Sequence, residues 1–280
     1  MRAGLRLFGS LLGIVPDRGD PAVVPYGEMR GVAFDASTYH VVVEALDRAP
    51  WRIGRLAKRT MPFLEELKQA RLALVASYQT QLEDVMPHID ELELQRLSDE
   101  WREGVALPAA ALEKRSRGTA ARLLQFLPTE ERRVFVAALS ALFPEPPRLG
   151  FYHSAERSQD PSETRPFEPF ALFEKAAGAG FAVAWEGLGK MGTATYVFRG
   201  AEPDLAARLN ASLRAIRFAR EPVYLSEAEL VTTGEHRHYV PLLRRSKELQ
   251  FLKEQFAGRA LHVEPETYPA RVAALCAGKS

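Results

Sequence analysis

The sequence contains a single cysteine, Cys276, among its 280 residues. One thiol cannot form an internal disulfide, and it cannot build a zinc site that needs several thiolates. Long apolar runs are missing as well, since no segment approaches the roughly 18 consecutive apolar residues that a membrane-spanning helix needs. These two absences predict a protein of the reducing cytoplasm that has no disulfide framework and does not enter a membrane.

Net charge is nearly absent, because 37 Lys and Arg residues oppose 36 Asp and Glu residues and leave a formal charge of +1 at pH 7. This balance excludes a global attraction to nucleic acid or to an anionic membrane surface, so any basic site must be local. The 46% of hydrophobic residues is close to the globular average and excludes a disordered or fibrous chain. A chain of this length predicts two domains.

Helical patterns dominate residues 50–143. From Thr60 onward, apolar side chains recur at spacings of three and four, which predicts a helix that begins at this residue. Three further helices are predicted after prolines, because proline suits the first turn of a helix and cannot continue one. These prolines are Pro87, Pro108 and Pro128. Four consecutive helices with short joins predict an N-terminal helical bundle.

The segment of residues 35–48 allows two interpretations. Asp35 and Ser37 could cap a helix, whereas the β-branched run Val41–Val43 favours a strand. Sequence periodicity leaves both alternatives open.

A proline-rich connector, FPEPPRLG at residues 143–150, follows the helical region. Stiff segments of this composition commonly separate domains. The connector predicts an N-terminal, mostly helical domain of residues 1–147 and a C-terminal α/β domain of residues 148–280.

Glycine-bounded apolar and aromatic runs characterise the C-terminal domain. Residues 181–186 and 193–198 are predicted to be neighbouring strands. A helix is predicted over residues 202–220, and residues 222–226 (PVYLS) are predicted to return to the sheet as a strand. Two more helices, a basic one over residues 239–256 and a last one near the C-terminus, complete the pattern. The predicted fold class is mixed α+β or α/β: an N-terminal α-helical bundle, then a small mixed β-sheet flanked by helices.

The segment Gly187–Gly192 (GLGKMG) matches the spacing G-x-G-x-x-G. A dinucleotide site needs this motif to open a helix, so that the phosphates meet free amides at the helix N-terminus. The following residues read as a strand, which favours a tight turn between strands over a phosphate-binding loop. Lys190 is followed by Met191, so the segment is not a Walker A motif.

Two acidic residues and a lysine accompany the predicted strands. The order of strands and helices is similar to that of a restriction-endonuclease-like core, in which paired carboxylates hold a divalent metal and a lysine stabilises charge. The likeness implies Glu168 and Glu186 as metal ligands and Lys190 as the charge stabiliser. The usual signature of that core places acid and lysine as E-x-K on one strand, and here the gap is longer.

Basic residues cluster locally although the net charge is small. Clusters of this kind could neutralise phosphates. Alternatively, the acidic side chains within residues 83–103 could pair with these basic side chains inside the helical region. The candidate nucleic-acid contacts are Arg55, Lys58, Arg59, Arg115, Arg117, Arg214, Arg217, Arg244, Arg245 and Lys247.

No complete catalytic motif accompanies these features. The leading hypothesis is therefore a non-catalytic accessory protein of a bacterial cytoplasmic complex, which uses helical and basic surfaces to bind protein or nucleic acid. It needs no cofactor. The alternative is a metal-dependent nuclease-like enzyme, which would use Mg²⁺ or Mn²⁺. A third hypothesis is a nucleotide-binding regulator that acts through Gly187–Gly192.

Overall fold

The computed structural model of this chain describes residues 3–7, 11–17, 22–45, 49–86, 89–126, 133–153, 167–177, 180–187, 194–216 and 218–278. The chain forms two compact units, Met1–Glu103 and Gly104–Ser280. The domain boundary at residue 147 stays a prediction; that residue lies within the second unit.

The first unit begins with six strands that form two three-stranded antiparallel sheets. The first sheet contains β1 (Ala3–Leu7), β2 (Leu11–Pro16) and β3 (Ala22–Pro25), and the second contains β4 (Met29–Asp35), β5 (His40–Ala45) and β6 (Trp51–Ile53). Two helices follow, α1 (Thr60–Val85) and α2 (Glu91–Glu100).

Strand β5 resolves the two interpretations of residues 35–48. Val41, Val43 and Ala45 are buried, whereas Glu44 between the last two is exposed. This alternation has the period of two residues that a half-buried strand requires. Residues 40–45 are therefore a strand, and the helical interpretation is wrong for the described part of the segment.

The predicted N-terminal helical bundle is also wrong, because the N-terminal region is rich in strands. The helix predicted from Thr60 is present, but besides contacting α2 it packs on the strands that precede it. One buried cluster joins α1 to both sheets through Leu12, Val24, Val41, Val43, Leu64 and Leu67. A sheet with one apolar face needs another layer to cover that face, and α1 supplies it.

The second unit contains a six-stranded sheet with the order β12-β11-β10-β9-β8-β7. Its strands are β7 (Leu107–Pro108), β8 (Arg148–His153), β9 (Phe167–Ala177), β10 (Gly180–Gly187), β11 (Ala194–Gly200) and β12 (Phe256–Leu261). All neighbouring strands are antiparallel, so the predicted mixed sheet is wrong. The predicted pairing of the strands now called β10 and β11 is confirmed.

Nine helices of the second unit lie in its described residues. They are α3 (Ala109–Arg115), α4 (Thr119–Phe126), α5 (Arg133–Leu142), α6 (Leu205–Ala215), α7 (Glu221–Tyr224), α8 (Glu227–Thr232), α9 (Val240–Arg245), α10 (Lys247–Gln255) and α11 (Tyr268–Ala277). Residues 222–226, predicted as a strand, instead overlap the short helix α7.

Helices cover both faces of this sheet. On one face, Phe170, Tyr196 and Phe198 pack with apolar residues of α6 and α10. On the other face, Phe143 at the end of α5 lies 6.3 Å from the ring of Phe173, measured between centroids. Helix α11 packs on the same face beside α5. The sheet is therefore the middle layer of three.

Candidate functional site

The two acidic residues of the nuclease-like hypothesis occupy different faces of the sheet. Glu186 on β10 pairs in register with Ala171 on β9, while Glu168 on β9 pairs with Tyr152 on β8. Successive residues of a strand alternate between faces. Positions 168 and 171 differ by three, so positions 168 and 186 belong to opposite faces. The register does not bring the two acids together, and Lys190 lies outside the described residues.

In the part of the chain that the structure describes, no group of three or more His, Cys, Asp or Glu residues is placed to hold a metal ion. Residues 188–192 of the glycine-rich segment also lie outside the described residues, so the hypothesis of a phosphate-binding loop stays a prediction.

Three of the predicted nucleic-acid contacts form a short basic turn of residues 55–59, which connects β6 to α1. Arg55, Lys58 and Arg59 are exposed. None of the three has an ion pair or hydrogen bond to a side chain of the described residues. The first turn of α1 contains no acidic residue, so these charges are not neutralised locally.

The other predicted contacts are scattered over the second unit. Arg244 is paired with Glu227, with its Nε 3.1 Å from Oε1. Three more cations interact with other groups of the protein, and two are exposed without a described partner. The interacting cations are Arg115, Arg214 and Arg245; the exposed ones are Arg117 and Lys247. Arg217 lies outside the described residues. The prediction that all ten bind nucleic acid stays untested.

A cleft of about 720 Å³ lies at the terminal strand of the six-stranded sheet. The sequence alone did not indicate it. Its walls come from α7, α8, β12 and α11, together with the loop between β12 and α11. The aromatic, aliphatic and cationic side chains of the lining that a ligand could contact include Tyr224, Phe256, Arg259, Leu261, Tyr268 and Arg271.

Strand β12 has a free edge in this cleft. Among the described strands it is the last of the sheet and pairs only with β11. Within the described part of the chain, residues 257–261 make no backbone hydrogen bond outside that ladder. Both Gly258 and Arg259, which belong to opposite faces of the sheet, line the cleft. Residues from both faces of a sheet can line one cleft only where the cleft runs past the edge of the sheet. The cleft therefore exposes the unpaired backbone of β12.

The free edge carries one irregularity, at Ala257. The register of β12 against β11 passes from Phe256 directly to Gly258, which leaves Ala257 as the extra residue of a bulge. Gly258 has a φ of +144°, and a Cβ added there would lie 2.6 Å from Cδ2 of Leu275 on α11. Glycine therefore allows α11 to approach the strand closely.

The charged groups of the cleft differ in whether they form hydrogen bonds with other residues of the protein. The Glu229 carboxylate accepts the Ser226 backbone N–H at 2.7 Å in a capping box. The bonds from Ser226 lower the pKa of Glu229, and Arg259 adds a smaller contribution in the same direction. The Glu264 carboxylate accepts the Thr267 hydroxyl at 3.0 Å.

The two arginines of the cleft are less engaged. The guanidinium carbon of Arg259 lies 4.4 Å from the centroid of the Tyr224 ring, a cation–π contact. Neither Arg259 nor Arg271 forms an ion pair or a side-chain hydrogen bond with any described residue. Their donors therefore remain available to a ligand.

Behind the cleft, Tyr268 belongs to a hydrogen-bonded group of polar side chains. The Thr195 hydroxyl lies 2.5 Å from the Tyr268 hydroxyl and 2.9 Å from Nε2 of His262. The Phe135 ring stacks on His262, with 4.7 Å between centroids. A hydroxyl beside an imidazole resembles a nucleophile beside its base, but Thr195 is fully buried. These contacts position Tyr268, and burial keeps the Thr195 hydroxyl away from a substrate.

Residues 256–261 were missed because the sequence pattern extends the preceding basic helix as far as Phe256. The signal that could have found this strand is Gly258 within an apolar run, directly after that helix.

Comparisons with protein-family models, with curated proteins and with solved structures find no match for this chain. No helix of the described residues is long and apolar enough to cross a membrane. The cleft and the basic turn are therefore the features of the chain that bear on its function.

Proposed function

We propose that this chain is a non-catalytic interaction protein of a cytoplasmic complex, which binds an extended segment of a partner protein along β12. The observation that carries the proposal is the free backbone edge of residues 257–261 inside a cleft. An extended peptide can add a strand to such an edge, with main-chain hydrogen bonds for affinity and side-chain contacts for specificity.

Apolar exposure beside the edge supports this proposal. The side chains of Leu261 and Val263 line the cleft and are 45% and 71% exposed. Apolar groups next to a concave surface are typical of interaction sites. With the Tyr224 ring nearby, they provide contacts for the side chains of an added strand.

The chemistry of the lining supports binding without catalysis. The hydroxyl nearest to an imidazole is that of Thr195, which solvent does not reach. Cys276 is partly buried, and burial raises the pKa of its thiol, which disfavours the reactive thiolate. The Thr267 hydroxyl, which lines the cleft, donates to the Glu264 carboxylate and to the Glu264 carbonyl group of its own turn.

Selection of peptides tests the proposal. We would select 12-residue peptides from a random phage-displayed library on the full chain, and measure the affinity of synthetic copies by fluorescence anisotropy. Each backbone amide of the best peptide would then be methylated in turn. We expect losses of affinity at every second residue, because alternate amides of an added strand point toward its neighbour.

Equal sensitivity at all positions, or none, would contradict strand addition. Hydrogen exchange provides a second readout. Bound peptide should protect those amides of residues 257–261 that do not pair with β11, while the amides of helix α2, which does not line the cleft, should exchange unchanged.

The basic turn of residues 55–59 supports a second candidate function, contact with nucleic acid. Three unpaired cations within five residues can neutralise phosphates at low salt. We would titrate labelled duplex and single-stranded DNA at two salt concentrations, with the chain in which Arg55, Lys58 and Arg59 are all replaced by glutamine.

The control carries Arg6→Gln, Arg133→Gln and Lys175→Gln, which removes the same charge at exposed positions that are not predicted contacts. If the turn binds phosphates, only the first variant should lose affinity and salt dependence. Adding Mg²⁺ or Mn²⁺ to the titration tests the nuclease-like alternative, for which the register of Glu168 and Glu186 provides no support.

A further inference from the structure

The charged groups of the cleft are unequally available to a ligand. Glu229 and Glu264 each accept a hydrogen bond from a neighbouring residue. Arg259 and Arg271 lack a carboxylate partner among the described residues. Guanidinium groups can only donate, so the charged groups of the cleft that have no described partner are cationic hydrogen-bond donors. A ligand with carboxylate oxygens can complement it.

The position of Arg259 on β12 determines where a carboxylate of the ligand would lie. An added strand would place one of its side chains directly opposite Arg259, with Cβ atoms about 4.5–5.5 Å apart. Oppositely charged pairs at such positions stabilise a sheet, and like charges destabilise it. The Arg259 guanidinium lies over the Tyr224 ring.

Arg271 adds a second positive charge on the opposite face. It lies on α11, whose Leu275 approaches Gly258 and whose Tyr268 contacts Thr195. Arg259 instead lies on the face that α7 covers through Tyr224. An added strand would therefore meet a guanidinium on each side of its backbone.

The same charges disfavour a second copy of this chain as the occupant. Two β12 edges that paired with one another would bring Arg259 of one copy near that of the other. The bulge at Ala257 also interrupts the regular ladder, and charged residues and bulges are features that limit pairing between identical edges.

From this geometry we propose that the partner segment is acidic, with an Asp or Glu side chain placed directly opposite Arg259 when the segment pairs with β12. This inference rests on the proposed function, because it needs the segment to bind as a strand. It adds the chemical class of the partner: an extended acidic peptide.

The test uses the peptides selected on the full chain. They should carry Asp or Glu at one fixed position, and replacing that residue by Asn or Gln should weaken binding about fivefold. The Arg259→Gln variant should bind the original peptide about fivefold more weakly, and should no longer distinguish it from the amide peptide. Lys247→Gln, which removes an exposed cation outside the cleft, should change neither affinity.

A reversed charge gives an independent readout. Selection on the Arg259→Glu variant should enrich Lys or Arg at the position where the original chain enriches acids. Circular dichroism of each variant would verify that the fold is retained.

The outcomes separate this inference from the proposed function. Peptides that show the alternating sensitivity to amide methylation, but tolerate the change from acid to amide, would overturn the acidic partner and leave strand addition standing. If no peptide is enriched, or methylation has no alternating effect, both fail. Dimerisation of the chain that blocks peptide binding would assign the edge to a second copy and overturn the inference.

Discussion

The hydroxyl of Tyr268 lies 2.5 Å from the hydroxyl of Thr195, and this contact fastens the start of α11 to strand β11. Both residues are almost fully buried. Since Tyr268 also lines the cleft, the contact connects the stability of the sheet to the shape of the binding surface.

Replacing Thr195 by valine should destabilise the protein. The change keeps the volume of the side chain but leaves the Tyr268 hydroxyl without this partner, at a cost of about 1–3 kcal/mol. Urea denaturation would measure the loss. Thr232→Val is the matched control, because the Thr232 hydroxyl is exposed and bonds only to carbonyl groups of its own helix. Equal effects of the two variants would contradict the importance of the buried contact.

The Glu113 carboxylate should make stability depend on pH. It accepts the backbone N–H groups of Gly118 at 2.8 Å and Ala120 at 2.7 Å, and so caps the start of α4. These bonds, first that from Gly118, lower the pKa of Glu113. Because the folded pKa lies below the unfolded one, the stabilisation is complete above the unfolded pKa and is lost as pH falls through the folded pKa.

Glu113→Gln should therefore cost about 1 kcal/mol at pH 7, as expected for a lost cap. Its difference from the original chain should shrink as the pH approaches about 3. Denaturation midpoints at both pH values would measure this. Glu254→Gln is the control, because Glu254 is exposed on α10 and has no described partner. A constant difference across pH would contradict the prediction.

Gly258→Ala should weaken the contact between α11 and β12. The added Cβ would lie 2.6 Å from Cδ2 of Leu275, and the φ of +144° strains any residue other than glycine. A loss of about 1–3 kcal/mol is expected from the backbone strain, with a lower melting temperature. Gly234→Ala is the control, since a Cβ there meets no atom within 4 Å. Similar melting temperatures for the two variants would refute the proposed packing role.

Lys253→Met should loosen one wall of the cleft. The Lys253 amine donates to the carbonyl groups of Pro222 at 3.3 Å and Leu225 at 2.5 Å, and burial lowers its pKa. Methionine keeps the stem but leaves both carbonyl groups without this donor, so we expect a loss of about 1–2 kcal/mol in urea denaturation. Lys247→Met, at an exposed position, should change stability by less. The reverse order would show that these bonds contribute little.

The sequence predicted local elements where a single pattern dominates. The helix from Thr60 is present because its apolar spacing and its proline in the first turn agree. The pairing of β10 with β11 follows from two apolar runs joined by a glycine-rich segment. In residues 35–48 local signals conflicted, and burial of Val41 and Val43 against the neighbouring helix decided for a strand.

Predictions from the sequence were wrong where the structure of a segment depends on packing against residues distant in the chain. Residues 222–226 read as a strand, but Pro222 occupies the first turn of α7, and the following carbonyl groups bond to Lys253 from a distant helix. The helical bundle was predicted from helices in series, whereas α1 packs on strands that precede it in the chain. The periodicity of apolar residues predicts which side chains are buried, but not which layer of the structure covers them.

By itself the sequence determined the composition of the chain, the absence of a disulfide framework, the main helices and one hairpin of the larger sheet. Only the tertiary structure decided the candidate site. Tyr224, Arg259 and Tyr268 belong to three separate elements, and they meet because β12 takes the outermost place in the sheet. Strand order depends on long-range pairing that local periodicity does not encode, and so the free edge and its unpaired arginines could not be recognised from the sequence.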